Sequence, residues 1–201
     1  MRPEIHAPDA IEPALDMLES FIATRLEEGA GFEPGETILC GWMWFLVEEA
    51  GGKPTVVAPE LGVMPMQFQA NCSNALNMVL GQRYLCDSFG LSYGWCDARQ
   101  AALCIKGIGE CEEVFMNRQG ESKDQDSGWY FGASDNPRDP NEPGSLEWRS
   151  LWELSCLFPR ALEFFLLPPG HQATLHGRLA VLHDFEPLTP KPESYFATKY
   201  P

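Results

Sequence analysis

The chain has 201 residues, 44% of them hydrophobic and 21% charged, which is the composition of a folded globular protein and not of a disordered one. Its net charge of −15, from 29 acidic and 14 basic side chains, opposes nucleic-acid phosphates and anionic lipid and favours basic protein partners. The 17 prolines and 18 glycines predict short elements broken by many turns rather than a helical bundle.

Residues 12–28 read as an amphipathic helix. Leu15, Leu18, Ile22 and Leu26 recur at helical spacing, Pro13 suits the first turn, and Gly29 and Gly31 suit the stop. After the turn Glu33-Pro34-Gly35, residues 37–47 form one long apolar run with Trp42 and Trp44, expected as a strand. Gly51-Gly52 turns the chain into Thr55-Val56-Val57, a hairpin partner. A second helix is expected over 73–88, stopped by Gly90, with Leu76, Val79, Leu80 and Tyr84 facing inward. Residues 101–108 and 113–118 read as a hairpin about Gly109-Glu110, followed by a polar loop over 119–127 and a strand over 129–133. Residues 134–147, with three prolines, read as a loop. Ser150-Leu151-Trp152-Glu153 is a capping box opening a short helix that ends near Pro159. Residues 173–175 and 179–182 form a last hairpin about Gly177, and the tail from Pro187 is expected to lie along the surface or to be loose. Helices and hairpins mix without βα alternation. That predicts an α+β fold, a mixed or antiparallel sheet built from hairpins with two to four packed helices, in a single domain over 1–201.

The N-terminus has no charged-then-apolar signal segment, and no apolar run is long enough for a membrane span. The seven cysteines are odd in number, scattered and mostly in apolar settings, which fits a reducing cytoplasm without disulfides. The chain is therefore expected to be cytoplasmic, with no membrane and no nucleic acid among its partners.

The acid is unevenly spread. Residues 1–60 carry net −9 and residues 109–147 carry net −7, while the rest is near neutral. In the second block the carboxylates fall mainly in turns and loops, where binding residues concentrate. Glu110, Glu112, Glu113, Asp124, Asp135, Asp139 and Glu142 are the candidate contacts to a basic partner surface. Chemistry finds less support. His171, His176 and His183 lack the helical spacing and the glutamate of a zinc protease. Gly107-Ile108-Gly109 lacks the third glycine of a dinucleotide loop, and there is no Gly-x-Ser-x-Gly elbow. Cys96, Cys104 and Cys111 are spaced unlike paired zinc ligands. No catalytic residue, metal or cofactor is assigned. The rival readings are a regulatory binding module unconnected with toxins, and an enzyme whose dispersed site uses His171, His176 or Cys111.

One segment is more specific. Asp126-Ser127-Gly128-Trp129-Tyr130-Phe131-Gly132 is followed by Asp135-Asn136-Pro137, then by Ser150-Leu151-Trp152-Glu153-Leu154 and by Leu166-Leu167-Pro168-Pro169-Gly170. This order resembles the bacterial immunity protein family thirty-three, formerly a domain of unknown function, with Trp152 where Tyr is more usual. The likeness is clearest over residues 101–176. It implies a protein that binds and neutralises a cognate toxin or effector in interbacterial competition and is not itself an enzyme. The missing signal segment points to a toxin acting in the cytoplasm, such as a nuclease. The motif residues Asp126, Ser127, Gly128, Trp129, Phe131, Gly132, Ser150, Leu151 and Glu153 read as structural, with Trp129 and Phe131 alternating into the core.

Overall fold

The structure is a computed structural model and describes residues 1–29 and 31–201. It is α+β and divides into two compact units, Met1–Gly81 and Gln82–Pro201, with helix α2 contributing to both.

In the first unit, β1 (Glu4–Ile5) pairs parallel with β4 (Lys53–Pro59). β4 is central, between β1 and β3 (Met43–Ala50), and β2 (Thr37–Cys40) closes the far edge. β5 (Phe68–Gln69) adds to β4 antiparallel. α1 (Glu12–Glu27) buries Ala14, Leu18 and Ile22, one residue per turn, and leaves Phe21 in water. The run 37–47, expected as one strand, is two. The chain reverses at Gly41-Trp42, so that Cys40 pairs with Met43 and Thr37 with Leu46. Gly41 makes this possible with φ +66°, and a Cβ there would press into Val79 Cγ1 at 2.8 Å. The Gly51-Gly52 hairpin joins β3 to β4 as expected, with Ala50 opposite Lys53.

α2 (Ser73–Phe89) buries Leu76, Val79 and Leu80 as the spacing predicts, but Tyr84 is exposed.

The second unit is a seven-stranded sheet. Its strands are β6 (Ala101–Ile105), β7 (Val114–Arg118), β8 (Asp126–Ala133), β9 (Leu146–Ser150), β10 (His171–Thr174), β11 (Ala180–His183) and β12 (Glu186–Pro187). They lie in the order β12-β11-β10-β7-β8-β6-β9. The expected hairpin of 101–108 with 113–118 does not form. β8 lies between the two, parallel to β6 and antiparallel to β7. Gly107 takes a left-handed φ of +79°, and a 3-10 turn at Ile108–Glu110 carries the chain across. The loop expected over 134–147 ends early, because β9 begins at Leu146 and pairs antiparallel with β6. The hairpin about Gly177 forms, with Thr174 opposite Ala180.

One face of this sheet is the core. Phe131 stacks on Phe158 at 6.4 Å between ring centres, and Trp129 meets Phe165 edge-on at 6.3 Å. These partners belong to the segment after α3 (Leu151–Leu157). There the 3-10 turn Pro159–Phe164 and the run to Leu167 bury Ala161, Leu162, Phe164, Phe165, Leu166 and Leu167. Ser150 caps α3 by accepting a hydrogen bond from Glu153 N at 3.1 Å. Glu153 turns its carboxylate to Arg149 at 2.7 Å, so only half of the capping box closes. The tail is held down. Lys191 N donates to Ser88 O and Phe196 N to Ser88 Oγ, and α4 (Tyr195–Lys199) buries Phe196.

Candidate interaction surface

The acidic residues of the second block sort to the two ends of β8. At its C-terminal end the 3-10 turn and the start of β7 bring Glu110, Glu112 and Glu113 beside Asp135. Asp135 accepts from Glu112 N at 2.8 Å and from Glu113 N at 3.3 Å, and these two backbone bonds hold its carboxyl below the usual carboxylate range. Glu113 accepts from Ser134 Oγ at 2.6 Å. Asn136 Nδ2 donates to Lys106 O at 3.1 Å and Arg138 Nε to the same oxygen at 3.2 Å, so the loop bearing Asp139 and Glu142 is moored to the β6–β7 crossing. Asp139 in turn accepts from Asn141 N at 2.8 Å. This end therefore presents Glu110, Glu112, Glu113, Asp135, Asp139 and Glu142 on exposed turns, offset among the described residues by Lys106, Arg138 and, in the cleft that Glu112 lines, Arg160.

Asp124 does not join them. It sits before β8 with φ +52°, at the other end of a strand that spans roughly 23 Å.

Next to the acidic end lies a mainly apolar cleft of about 380 Å³, lined by Cys111, Val114, Leu157, Phe158, Pro159 and Leu175 together with the charged Glu112 and Arg160. No local pattern announces it, because its walls come from the 3-10 crossing, the end of α3 and the start of the β10–β11 turn. An apolar lining with one acid and one base suits an apolar side chain flanked by charge.

The residues of the enzymatic rival are dispersed. His171 and His183 stand ring to ring at 4.7 Å as a cross-strand pair. Nδ1 of His171 lies 3.1 Å from Pro168 O and that of His183 lies 3.2 Å from Gly170 O, backbone contacts that orient the rings. His176 instead has Nδ1 3.2 Å from Val114 O. Cys111 receives Asn136 Nδ2 at 3.3 Å, and among the described residues no hydrogen bond joins Cys111 to a histidine. Five of the other thiols, all but half-exposed Cys156, are deep. Burial pushes Cys72 and Cys86 up to about 12, and Cys96 and Cys104 to about 11, which keeps them protonated and inert near neutrality. Among the described residues no three His, Cys, Asp or Glu side chains are grouped to hold a metal ion, and no helix is long and apolar enough to cross a membrane.

The motif strand is woven into the sheet. Asp126 Oδ1 accepts from Gly128 N at 2.7 Å, a local turn bond. Ser127 Oγ donates to Ala101 O at 2.8 Å, fastening β8 to the start of β6. Trp129 and Phe131 are buried, while Tyr130 points to the opposite face beside Phe115. The Phe115 and Tyr130 rings lie over Gly132, where a Cβ would not fit. Trp129 also faces a fully buried arginine. Arg118 lies 5.3 Å from its ring, donates from Nε to Gly120 O and from Nη2 to Trp95 O, and so fixes the loop before the motif.

The model of the Imm33-like domain matches residues 81–184, just over half of the chain. The chain belongs to the Imm33-like family. No curated protein and no solved structure matches it. The Imm33-like segment holds all seven candidate carboxylates, the apolar cleft and the whole motif. The N-terminal block of net −9 lies outside it. Sequence reasoning missed the cleft and also Trp148, an exposed aromatic on the edge strand β9. The only local hint of the latter was a tryptophan between Glu147 and Arg149.

Proposed function

We propose that this chain is an immunity protein that binds and neutralises a cognate bacterial toxin or effector by covering its active surface, without catalysing a reaction. The whole chain, 1–201, serves as one immunity-protein-like domain. The observation that carries the reading is the acidic end of the Imm33-like sheet, where six carboxylates on exposed turns outweigh the cations Lys106, Arg138 and Arg160. Such an end attracts a basic surface, and basic surfaces are what enzymes acting on nucleic acid offer. The target is a toxin that works in the cytoplasm, with a nuclease as the leading candidate, and the antidote acts in the same compartment.

The test uses the protein encoded by the adjacent gene. Glu110, Asp139 and Glu142 are each replaced by Lys. Asp135 is left in place because its carboxylate holds backbone. The expected result is association slowed by about ten-fold or more at low salt, a smaller effect near physiological salt, and weaker rescue of intoxicated cells. Unchanged association would move the contact off this end, and a protein recovered from the periplasm would refute the cytoplasmic target.

A further inference from the structure

The second unit's sheet ends at the edge strand β9. Lys106 N donates to Ser145 O and Leu151 N to Gln100 O, both at 2.8 Å. These bonds fix the parity of β9. The backbone of Glu147 and Arg149 faces β6, and that of Leu146, Trp148 and Ser150 faces outward. Among the described residues no strand lies beyond β9 in the sheet order, and no backbone acceptor meets its outward N–H groups. No proline, lysine or bulge interrupts the strand, and its two charged residues, Glu147 and Arg149, are of opposite sign and bonded to each other. Instead its centre is Trp148, 58% exposed.

We propose that a second copy of this chain docks antiparallel on β9, with Trp148 opposite the second copy's Trp148. This register follows from chemistry on both faces. Trp148 exchanges both backbone bonds with its counterpart, and Ser150 N–H reaches the second copy's Leu146 carbonyl. Ser150's own carbonyl belongs to the helix it caps. On one face the two indoles lie side by side. On the other, Glu147 of each copy falls opposite Arg149 of the other, in the closer type of antiparallel pair. Each arginine, already bonded to Glu147 at 2.8 Å and Glu153 at 2.7 Å within its own chain, then lies between two glutamates of opposite strands. A shift by two residues either way places Trp148 opposite Leu146 or Ser150 and loses the charge match.

The shared edge is short, so the interface belongs to the small class below about 1,200 Å² and the dimer is weak, with a dissociation constant of order 10–100 µM. The net charge of −15 on each copy opposes it at low salt.

The test is sedimentation equilibrium of the full chain from micromolar to millimolar concentration, at about 0.3 M salt, where screening shortens to roughly 6 Å. The expected result is a mass rising toward twice 22.5 kDa. Trp148→Lys sets like charges face to face and raises the dissociation constant by roughly 30-fold or more. A second variant does not depend on that one. Trp148→Cys places two thiols at a hydrogen-bonded pair spacing of about 5.5 Å, inside disulfide range. Diamide takes up the two electrons and two protons, and the covalent dimer is read on a non-reducing gel against the background of half-exposed Cys111 and Cys156 in the unmutated chain. A single-chain mass at every concentration, or a dimer indifferent to Trp148→Lys with no added crosslink from Trp148→Cys, overturns the proposal.

Discussion

Replacing Gly128 with Ala is the sharpest test of the reading that the motif strand is held by backbone geometry. Gly128 has φ +74°, and a Cβ placed there would lie 2.8 Å from the Gly120 carbonyl carbon and 3.2 Å from Glu121 O. The left-handed conformation alone costs an alanine about 1 kcal/mol. The clash is with backbone, so the 119–121 turn must move. That strains Gln119 N to Gly128 O at 2.8 Å and Gly128 N to Asp126 Oδ1 at 2.7 Å. Losing one such bond adds about 1 kcal/mol, and the displaced loop also carries the carbonyl that accepts from buried Arg118, worth about 1 kcal/mol more. The sum is roughly 3 kcal/mol. In urea, with a slope of about 2 kcal/mol/M, the midpoint followed by circular dichroism should fall by about 1.5 M. Gly120→Ala is the control, since its Cβ would enter open space without a left-handed φ. It should change stability by less than about 1 kcal/mol. A Gly128→Ala midpoint within about 0.3 M of the unmutated protein would refute the reasoning.

Other predictions concern pH and capping. Four buried thiols have folded pKa values raised to about 11 or 12 from an ordinary 9.0. The unfolded chain releases those protons first, so stability is whole below pH 9 and falls as pH rises toward 11 to 12. Thermal midpoints at pH 7, 9 and 10.5 check this, and a flat profile would contradict it. Asp135 shows the opposite sign. Its folded pKa is lowered, so its contribution is present above the ordinary carboxylate range and is lost as pH falls through the folded value. Asp135→Asn should flatten the acid limb of the same profile. Ser150→Ala removes the cap on Glu153 N and should cost about 1 kcal/mol in chemical unfolding. An unchanged midpoint would mean that water replaces the hydroxyl.

What the sequence showed, and what it hid, divides along the range of the interactions. The stripe through Leu18 and Ile22, the Gly51-Gly52 reversal and the Ser150 cap are set by residues within a few positions of each other, and each forms as the spacing implies. The pairing of β6 does not. Its neighbours in the sheet are β8 and β9, and no local signal distinguishes those partners from β7, the nearer strand. The continuity of the apolar run 37–47 likewise hides its turn, because the need for a glycine at 41 arises from Val79 on α2, distant in sequence. At the acidic surface the residue types were legible and their sorting was not. Asp124 and Asp135 look alike in a loop-rich sequence, yet β8 sets them at opposite ends. The cleft was invisible because Cys111 and Phe158, far apart in sequence, become neighbours only in the folded unit.

The position of β8 bears on what kinship within this family conveys. It has a strand on each side, so the pattern that makes the chain recognisable lies where no visiting molecule can add to the sheet. Its tryptophan and phenylalanine face inward, and its glycines answer to Gly120 and Phe115. Recognition by that pattern therefore reports an inherited chassis. The turns at the ends of the sheet can be rewritten without disturbing it. Two kin can then share this weave and differ throughout the rim, so that likeness in the strand carries no likeness in what each one meets.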